Sequence, residues 1–313
     1  MSWLPEAASN FAERVDNVLI FITVISLIFF ILITACLVYF SIKYRKKSDD
    51  DETPYITGNE TLEIIWTLVP SVLLIIIFIW AFLVYKDMRT PPKDAIEINV
   101  VARQWLWQFE YGNGLKTINE LYLQKNRPVR LVMRAEDVIH SFFVPAFRVK
   151  QDILPGRYTQ LWFTPTKIGT FNLFCAEYCG TGHSAMLARV NVLSPESYDR
   201  WAKGDEVEDT IIGVQGLSLS EKGEKLYKER GCNACHSIDG SVLVGPSFKG
   251  LFGRKGEFQD GSKYKADENY IRNSILNPQG QIVQGYQPVM PSYKGILSGD
   301  DVTAIIEYMK TLK

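Results

Sequence analysis

Cys175-Ala176-Glu177-Tyr178-Cys179-Gly180-Thr181-Gly182-His183-Ser184-Ala185-Met186 follows a run of alternating aromatic and polar residues, and His140 stands 35 residues before its first thiol. Two thiolates, two imidazoles and a thioether form a soft donor set suited to copper, with one thiolate more than a mononuclear blue-copper site uses. A pair of bridging thiolates can hold two metal ions close together. Sharing one electron over such a pair keeps the geometry nearly constant on oxidation, which fast electron transfer requires. Two other uses of the cysteines stay open here: a Cys175–Cys179 disulfide in an oxidising compartment, or a zinc site of two cysteines and two histidines. Neither has a use for Met186.

Outward from this loop, residues 95 to about 192 read as short alternating runs rich in aromatic and branched side chains. Ile96-Glu97-Ile98-Asn99-Val100, Val129-Arg130-Leu131-Val132-Met133 and Thr159-Gln160-Leu161-Trp162-Phe163 are examples, and Gly112-Asn113-Gly114 and Pro155-Gly156 supply turns. The pattern predicts an antiparallel sandwich or barrel of about 100 residues.

Toward the N-terminus, no Asp, Glu, Lys or Arg occurs over the 25 residues from Val18 to Ile42 or the 22 from Ile64 to Tyr85. At a rise of about 1.5 Å per residue, either stretch crosses a hydrocarbon core of about 30 Å. The first is too long for a signal-peptide core and has neither a basic region before it nor a small-residue cleavage site after it, so it reads as a retained helix. Lys43, Arg45, Lys46 and Lys47 follow it, whereas Arg14 is the only basic residue before it, so the connecting loop is expected in the cytoplasm and both termini outside. Pro70 reads as a kink tolerated among neighbouring helices. Glu63 is either a solvated carboxylate at a helix N-terminus or an ionisable group at the mouth of a proton path.

Toward the C-terminus the strand pattern stops near Ser194. An acidic stretch through Asp199, Asp205, Glu206, Glu208 and Asp209 reads as a polar linker, with room for a short helix. Ser220 to Arg230 is predicted as a capped amphipathic helix leading into Cys232-Asn233-Ala234-Cys235-His236, a c-type haem attachment motif. Its thiols form thioethers to the macrocycle and His236 becomes the proximal ligand. A distal ligand has to come from downstream, where Met290 and Met309 are the candidates. Met290 precedes Pro291 in a loop of Gly, Gln and Pro, whereas Met309 lies on the predicted final helix, Asp300 to Leu312, where core packing is the ordinary use. Met290 is therefore chosen, and a His/Met pair raises the reduction potential, as suits a donor to copper.

Composition agrees. The 313 residues carry three histidines (His140, His183, His236) and five cysteines, and all of these except Cys36 belong to the copper donor set or the haem motif. A formal net charge of -1 provides no basic field for nucleic acid. From residue 217 onward 13 Lys or Arg face 11 Asp or Glu, so no strongly charged docking face is expected.

The copper loop, Asp137-Val138-Ile139-His140-Ser141-Phe142, the run Gln104-Trp105-Leu106-Trp107-Gln108-Phe109-Glu110-Tyr111, and Leu62-Glu63-Ile64-Ile65-Trp66-Thr67-Leu68-Val69-Pro70 resemble cytochrome c oxidase subunit II. The resemblance covers residues 1 to about 195. It implies that His140, Cys175, Cys179, His183 and Met186 bind two copper ions through side chains, and Glu177 through its backbone carbonyl. It also implies a Glu177 carboxylate near a magnesium site shared with subunit I, Trp105 as the aromatic through which electrons arrive, and Glu63 at the entrance of a proton-uptake channel. Strand packing is the plainer role for Trp105. The stretch Val244-Gly245-Pro246-Ser247-Phe248-Lys249-Gly250-Leu251-Phe252-Gly253-Arg254 resembles small class I cytochromes c, in which the Pro246 carbonyl would accept the proximal imidazole's N–H. The combination resembles the caa-type oxidases, whose second subunit carries a fused cytochrome c.

The expected organisation is a transmembrane helical hairpin (1–92, helices about 18–42 and 62–85), an all-β cupredoxin-like Greek-key barrel (93–195), a linker (196–216) and an all-α cytochrome c domain (217–313). The resemblance implies a multi-pass protein of the bacterial inner membrane whose soluble domains and termini are extracytoplasmic. Its partners would be subunit I and subunit III, and its donor reduced cytochrome c or a quinol-cytochrome c reductase. Its partner subunit would reduce oxygen to water with proton pumping. Two rivals remain at this point: the electron-accepting subunit of a copper-containing nitric oxide reductase, and a non-catalytic metallochaperone or redox sensor.

Overall fold

The computed structural model describes residues 4–48, 50, 52, 55, 57–204 and 217–313. It divides into two compact units, residues 10–90 and residues 1–9 with 91–313.

The smaller unit is a hairpin of two helices, α1 (Ala12–Lys43) and α2 (Glu60–Met88). Both run past the predicted spans because helical hydrogen bonding continues into the polar flanks, and Asn59 caps α2 by accepting from the Leu62 amide. Pro70 lies inside α2 as expected. Phe21 meets Trp80 at 5.5 Å, and Arg14 near the start of α1 pairs with Asp87 near the end of α2 at 2.6 Å. Their apolar side chains, Leu27, Phe30, Leu74 and Phe78 among them, face outward, as lipid-facing residues do.

The larger unit opens with two five-stranded sheets. One has the order β3 (Lys116–Ile118), β2 (Leu106–Tyr111), β1 (Ile96–Arg103), β5 (Val129–Ala135) and β8 (Thr159–Phe163). The other runs β4 (Glu120–Gln124), β10 (Leu187–Leu193), β9 (Gly169–Cys175), β6 (His140–Val144) and β7 (Val149–Ile153). Between them Trp107, Phe109, Phe142, Phe147 and Phe163 are fully buried, each stabilising by about 1.5 to 3 kcal/mol. The expected purely antiparallel arrangement is corrected at two pairs: β1 runs parallel to β5, and β4 to β10. A period of two marks a half-buried strand without recording its direction, and Greek-key crossovers between the sheets place these strands parallel.

The expected linker begins with a helix, α3 (Pro195–Ala202), capped by Ser194. Trp201 stacks on Tyr122 at 4.6 Å and meets Tyr111 edge-on at 4.8 Å, so this first part packs on the barrel. The rest of the predicted linker, 205–216 with Asp205, Glu206, Glu208 and Asp209, lies outside the described residues.

The C-terminal region holds α4 (Leu219–Glu229), a short ribbon of β11 (Lys255–Glu257) and β12 (Lys263–Lys265), α5 (Glu268–Leu276) and α6 (Gly299–Thr311). The cap of α4 is Ser218, which forms a capping box with Glu221; the predicted cap, Ser220, falls inside the first turn. Ser218 stands three residues before a glutamate, the spacing a capping box requires. Leu226, Tyr227, Ile271, Ile275, Ile305 and Met309 form the core, joined by Leu106 and Ile118 from the barrel.

Candidate copper and haem sites

Four segments of the barrel converge at one end. β6 begins at His140, β9 ends at Cys175, the loop after β9 carries Cys179 and His183, and Met186 precedes β10. Cys175 Sγ and Cys179 Sγ lie 3.8 Å apart, well beyond the roughly 2.05 Å of a disulfide bond, and both cysteines are free. His140 Nδ1 lies 3.9 Å from Cys175 Sγ, while His183 Nδ1 and Met186 Sδ lie 3.5 and 3.7 Å from Cys179 Sγ. The Glu177 carbonyl oxygen is 3.2 Å from Cys175 Sγ, and the Glu177 side chain is exposed. His140, Cys175, Cys179 and Met186 are all buried.

The charge pattern suits a soft cation. Burial raises the Cys175 pKa, but hydrogen bonds from His140 and the Ser141 and Glu177 backbone outweigh it and bring the thiol down to about 7. Burial and the neighbouring Cys175 push Cys179 up to about 12. Burial opposes protonation of His140, yet Cys175 and Asp137 hold its pKa above the ordinary value. A metal held by both thiolates has to displace their protons, so binding there is coupled to proton release. Sequence reasoning assigned Asp137 no role, yet its Oδ1 lies 2.8 Å from His140 Nε2. An acid three residues before a candidate ligand histidine was the available signal.

The haem motif opens just after α4. Burial pushes the Cys232 thiol up to about 12 and Cys235 to about 11. His236 Nδ1 lies 2.7 Å from the Pro246 carbonyl oxygen, to which it donates, and in a neutral ring this leaves Nε2 unprotonated. Burial lowers the His236 pKa against the opposing pull of Pro246, which keeps the ring neutral. Cys232, Cys235, His236, Met290 and Met309 all line one cavity, whose empty space, open mouth included, is about 1250 Å³. Two of its lining residues, Ser274 and Gln281, each carry a buried side-chain oxygen without a hydrogen-bond partner among the described residues. An apolar cavity with a neutral imidazole, two thiols and a few unpaired polar atoms fits a porphyrin bearing polar substituents.

Trp105 and Leu106 of the barrel also line this cavity. The Trp105 indole N–H donates to the Cys179 carbonyl at 3.1 Å, and the Gln104 side-chain Nε2 donates to the same oxygen at 2.6 Å. Glu63 belongs to the smaller unit, where it is exposed in the first turn of α2.

Residues 1–84 match the family described as cytochrome c oxidase subunit II, transmembrane domain; residues 113–193 match its periplasmic domain, and 220–313 match cytochrome c. The cytochrome c oxidase subunit 2 of Alkalihalophilus pseudofirmus is 33% identical over 307 residues, covering 95% of this chain and 86% of that protein. The chain belongs to the cytochrome c oxidase subunit II family. The subunit 2 of Bacillus subtilis is 28% identical over 302 residues, covering 88% of this chain and 82% of its own. The crystal structure of the periplasmic domain of subunit II of the Bradyrhizobium japonicum cytochrome oxidase shares 29% identity, covers 37% of this chain and 96% of that one, and superposes with a TM-score of 0.36. This subunit II therefore has two membrane-spanning helices, an extracytoplasmic copper domain and a C-terminal cytochrome c domain that implies haem c. It is one subunit of a cytochrome c oxidase.

Proposed function

We propose that this subunit accepts single electrons at its cytochrome c domain and passes them through the copper loop to subunit I, where dioxygen is reduced to water with proton pumping. When bound, haem c and a dinuclear copper centre supply the one-electron chemistry. The observation that carries the reading is Trp105, which borders the haem cavity and donates its indole N–H to the Cys179 carbonyl. One side chain thus spans from cavity wall to copper loop.

The roles follow the donor atoms. Cys232 and Cys235 anchor the haem, His236 and Met290 ligate its iron, and Pro246 fixes the orientation of the His236 ring. His140, Cys175, Cys179, His183, Met186 and the Glu177 carbonyl hold the two coppers, and the Glu177 carboxylate serves a magnesium ion shared with subunit I, a reading its exposure supports. Glu63 serves proton uptake at the entrance of a channel in subunit I. The donor is reduced cytochrome c or a quinol-cytochrome c reductase, and subunit III completes the complex.

Both soluble domains lie on the extracytoplasmic side of the bacterial inner membrane, with both termini. Support comes from residues 4–9, which join the barrel: the Ala8 amide donates to the Ala146 carbonyl, the Thr166 amide to the Ala8 carbonyl, both at 2.9 Å, and Arg148 donates to the carbonyls of Pro5 and Glu6. Two spans separate those residues from the rest of the barrel, and an even number returns the chain to its starting side.

The test is purification of the complex from native membranes, metal and haem analysis, and gas consumption. Two coppers and one covalent haem per chain with oxygen uptake are expected; one zinc and no copper, or nitric oxide uptake without oxygen uptake, would sink the proposal. Glu63→Ala is expected to slow turnover and leave haem-to-copper transfer intact.

A further inference from the structure

We infer that Arg230 and Glu120 form a latch that seats the haem domain on the copper domain and so positions the haem motif against Trp105. Arg230 follows α4 and stands two residues before Cys232. Its Nη1 lies 2.6 Å from Oε2 of Glu120, the first residue of β4, and the two side chains are only 16% and 12% exposed. The Tyr122 hydroxyl donates to the same Oε2 at 2.7 Å, and the Tyr293 hydroxyl donates to the Arg230 carbonyl at 2.8 Å. The pair is therefore braced from both domains.

The surroundings fit a defined seat. Gly231 has a φ of +77°, and a Cβ there would meet Asn119 Nδ2 at 2.5 Å, so the chain bearing the haem motif turns directly onto the corner between β3 and β4. Arg189 of β10 pairs with Glu229 at 2.9 Å beside it. Leu106 and Ile118 complete the haem-domain core from the copper side. The nearly balanced charge of the haem domain provides little long-range steering, so orientation has to come from short-range contacts. A largely buried ion pair contributes less to net stability than to register, because either charge left alone in that place is costly.

This inference rests on the electron-transfer reading only for its consequence. The latch fixes how far the haem motif stands from Trp105, and the haem-to-copper rate depends on that separation. Glu120 and Arg230 are positioning residues, neither of them among the groups that hold haem or copper.

The test uses the full chain in detergent with Glu120→Gln, Arg230→Gln, their double variant and the conservative Arg230→Lys. Hydrogen exchange of residues 116–122 and 229–232 reports the seat, and haem-to-copper transfer after flash reduction reports its consequence. Truncation of a buried charge pair is expected to speed exchange and slow transfer by about tenfold or more, with Arg230→Lys retaining most of both and the double variant costing less than the sum of the singles. Transfer in the single variants is expected to become viscosity-dependent, a change that lost stability alone does not produce. Unchanged exchange overturns the latch, and faster exchange with unchanged transfer overturns its positioning role. Wild-type protein that never transfers an electron from haem to copper sinks the electron-transfer reading instead, while the exchange comparison still judges the latch. Should Arg230→Gln fail to accumulate, Glu120→Gln and Arg230→Lys carry the same comparison.

Discussion

Asp137 Oδ1 lies 2.8 Å from His140 Nε2, on the opposite side of the ring from Nδ1, which faces Cys175 Sγ at 3.9 Å. The carboxylate is itself held, because Oδ2 accepts from the Gln104 amide at 2.7 Å and Oδ1 from the Val138 amide at the same distance. A carboxylate in that place fixes the tautomer that offers Nδ1 to a metal. Asp137→Ala is expected to weaken copper retention about 10- to 100-fold while the barrel folds. Competition with a chelator, followed by copper absorbance and circular dichroism, checks this; unchanged retention would show that His140 needs no orienting partner.

Gly182 carries the second expectation. A Cβ built on it collides with the Trp105 ring at Cδ2, Cε3 and Cγ, so the copper loop lies flat against the indole. Its φ of -86° is open to any residue, which makes close approach the reason for glycine. Gly182→Ala is expected to push the indole away and lengthen its hydrogen bond to the Cys179 carbonyl. Altered tryptophan fluorescence and a shifted copper spectrum, with haem absorbance unchanged, are the signature; two unchanged spectra would mean the loop yields elsewhere.

Legibility in the sequence followed the range of the interactions. The haem motif, the copper loop and the apolar spans are local patterns, and each stands as one segment. His140 was reachable because histidines are so few. Strand direction at β1 with β5 was not legible, since alternation is the same for parallel and antiparallel neighbours. Nor was the seat of the haem domain: Glu120 and Arg230 are 110 residues apart, and a charge count treats a buried pair and two solvated residues alike. Asp137 lay inside a quoted motif, yet its role became visible only with the direction of the His140 ring.

Met290 and Met309 line the same cavity and are separated by their packing. Met309, on α6, is 3% exposed within the core, whereas Met290 is partly buried in a loop, its carbonyl accepting from Gln279 Nε2 at 3.3 Å. Met290→Ala is expected to abolish the low-spin His/Met spectrum with little loss of fold. Met309→Ala is expected to keep the spectrum and cost about 2 to 5 kcal/mol of stability. Absorbance and thermal melting of both variants decide; the reverse assignment of effects would make Met309 the ligand.

Acid is expected to loosen the haem domain through Asp301. This residue is N3 of α6, where it forms a capping box with Ser298 and pairs with Lys222 of α4 at 2.8 Å. Burial raises its pKa, but Lys222 and the Ser298 hydrogen bonds outweigh burial and hold the carboxyl below its ordinary value. A carboxyl whose folded pKa is depressed stabilises the fold above the unfolded value of about 3.9, and that contribution disappears as pH falls through the lower, folded value. Asp301→Asn cannot lose a proton, so it should be less stable than wild type at pH 7 by about 1 kcal/mol and should show a shallower loss of stability on acidification. The two melting curves are expected to draw together as pH falls toward the depressed folded pKa, where the wild-type carboxyl takes up its proton. Melting followed by circular dichroism between pH 7 and pH 3 measures the gap, and a gap that stays constant across that range would show that the link between α4 and α6 does not depend on the Asp301 charge.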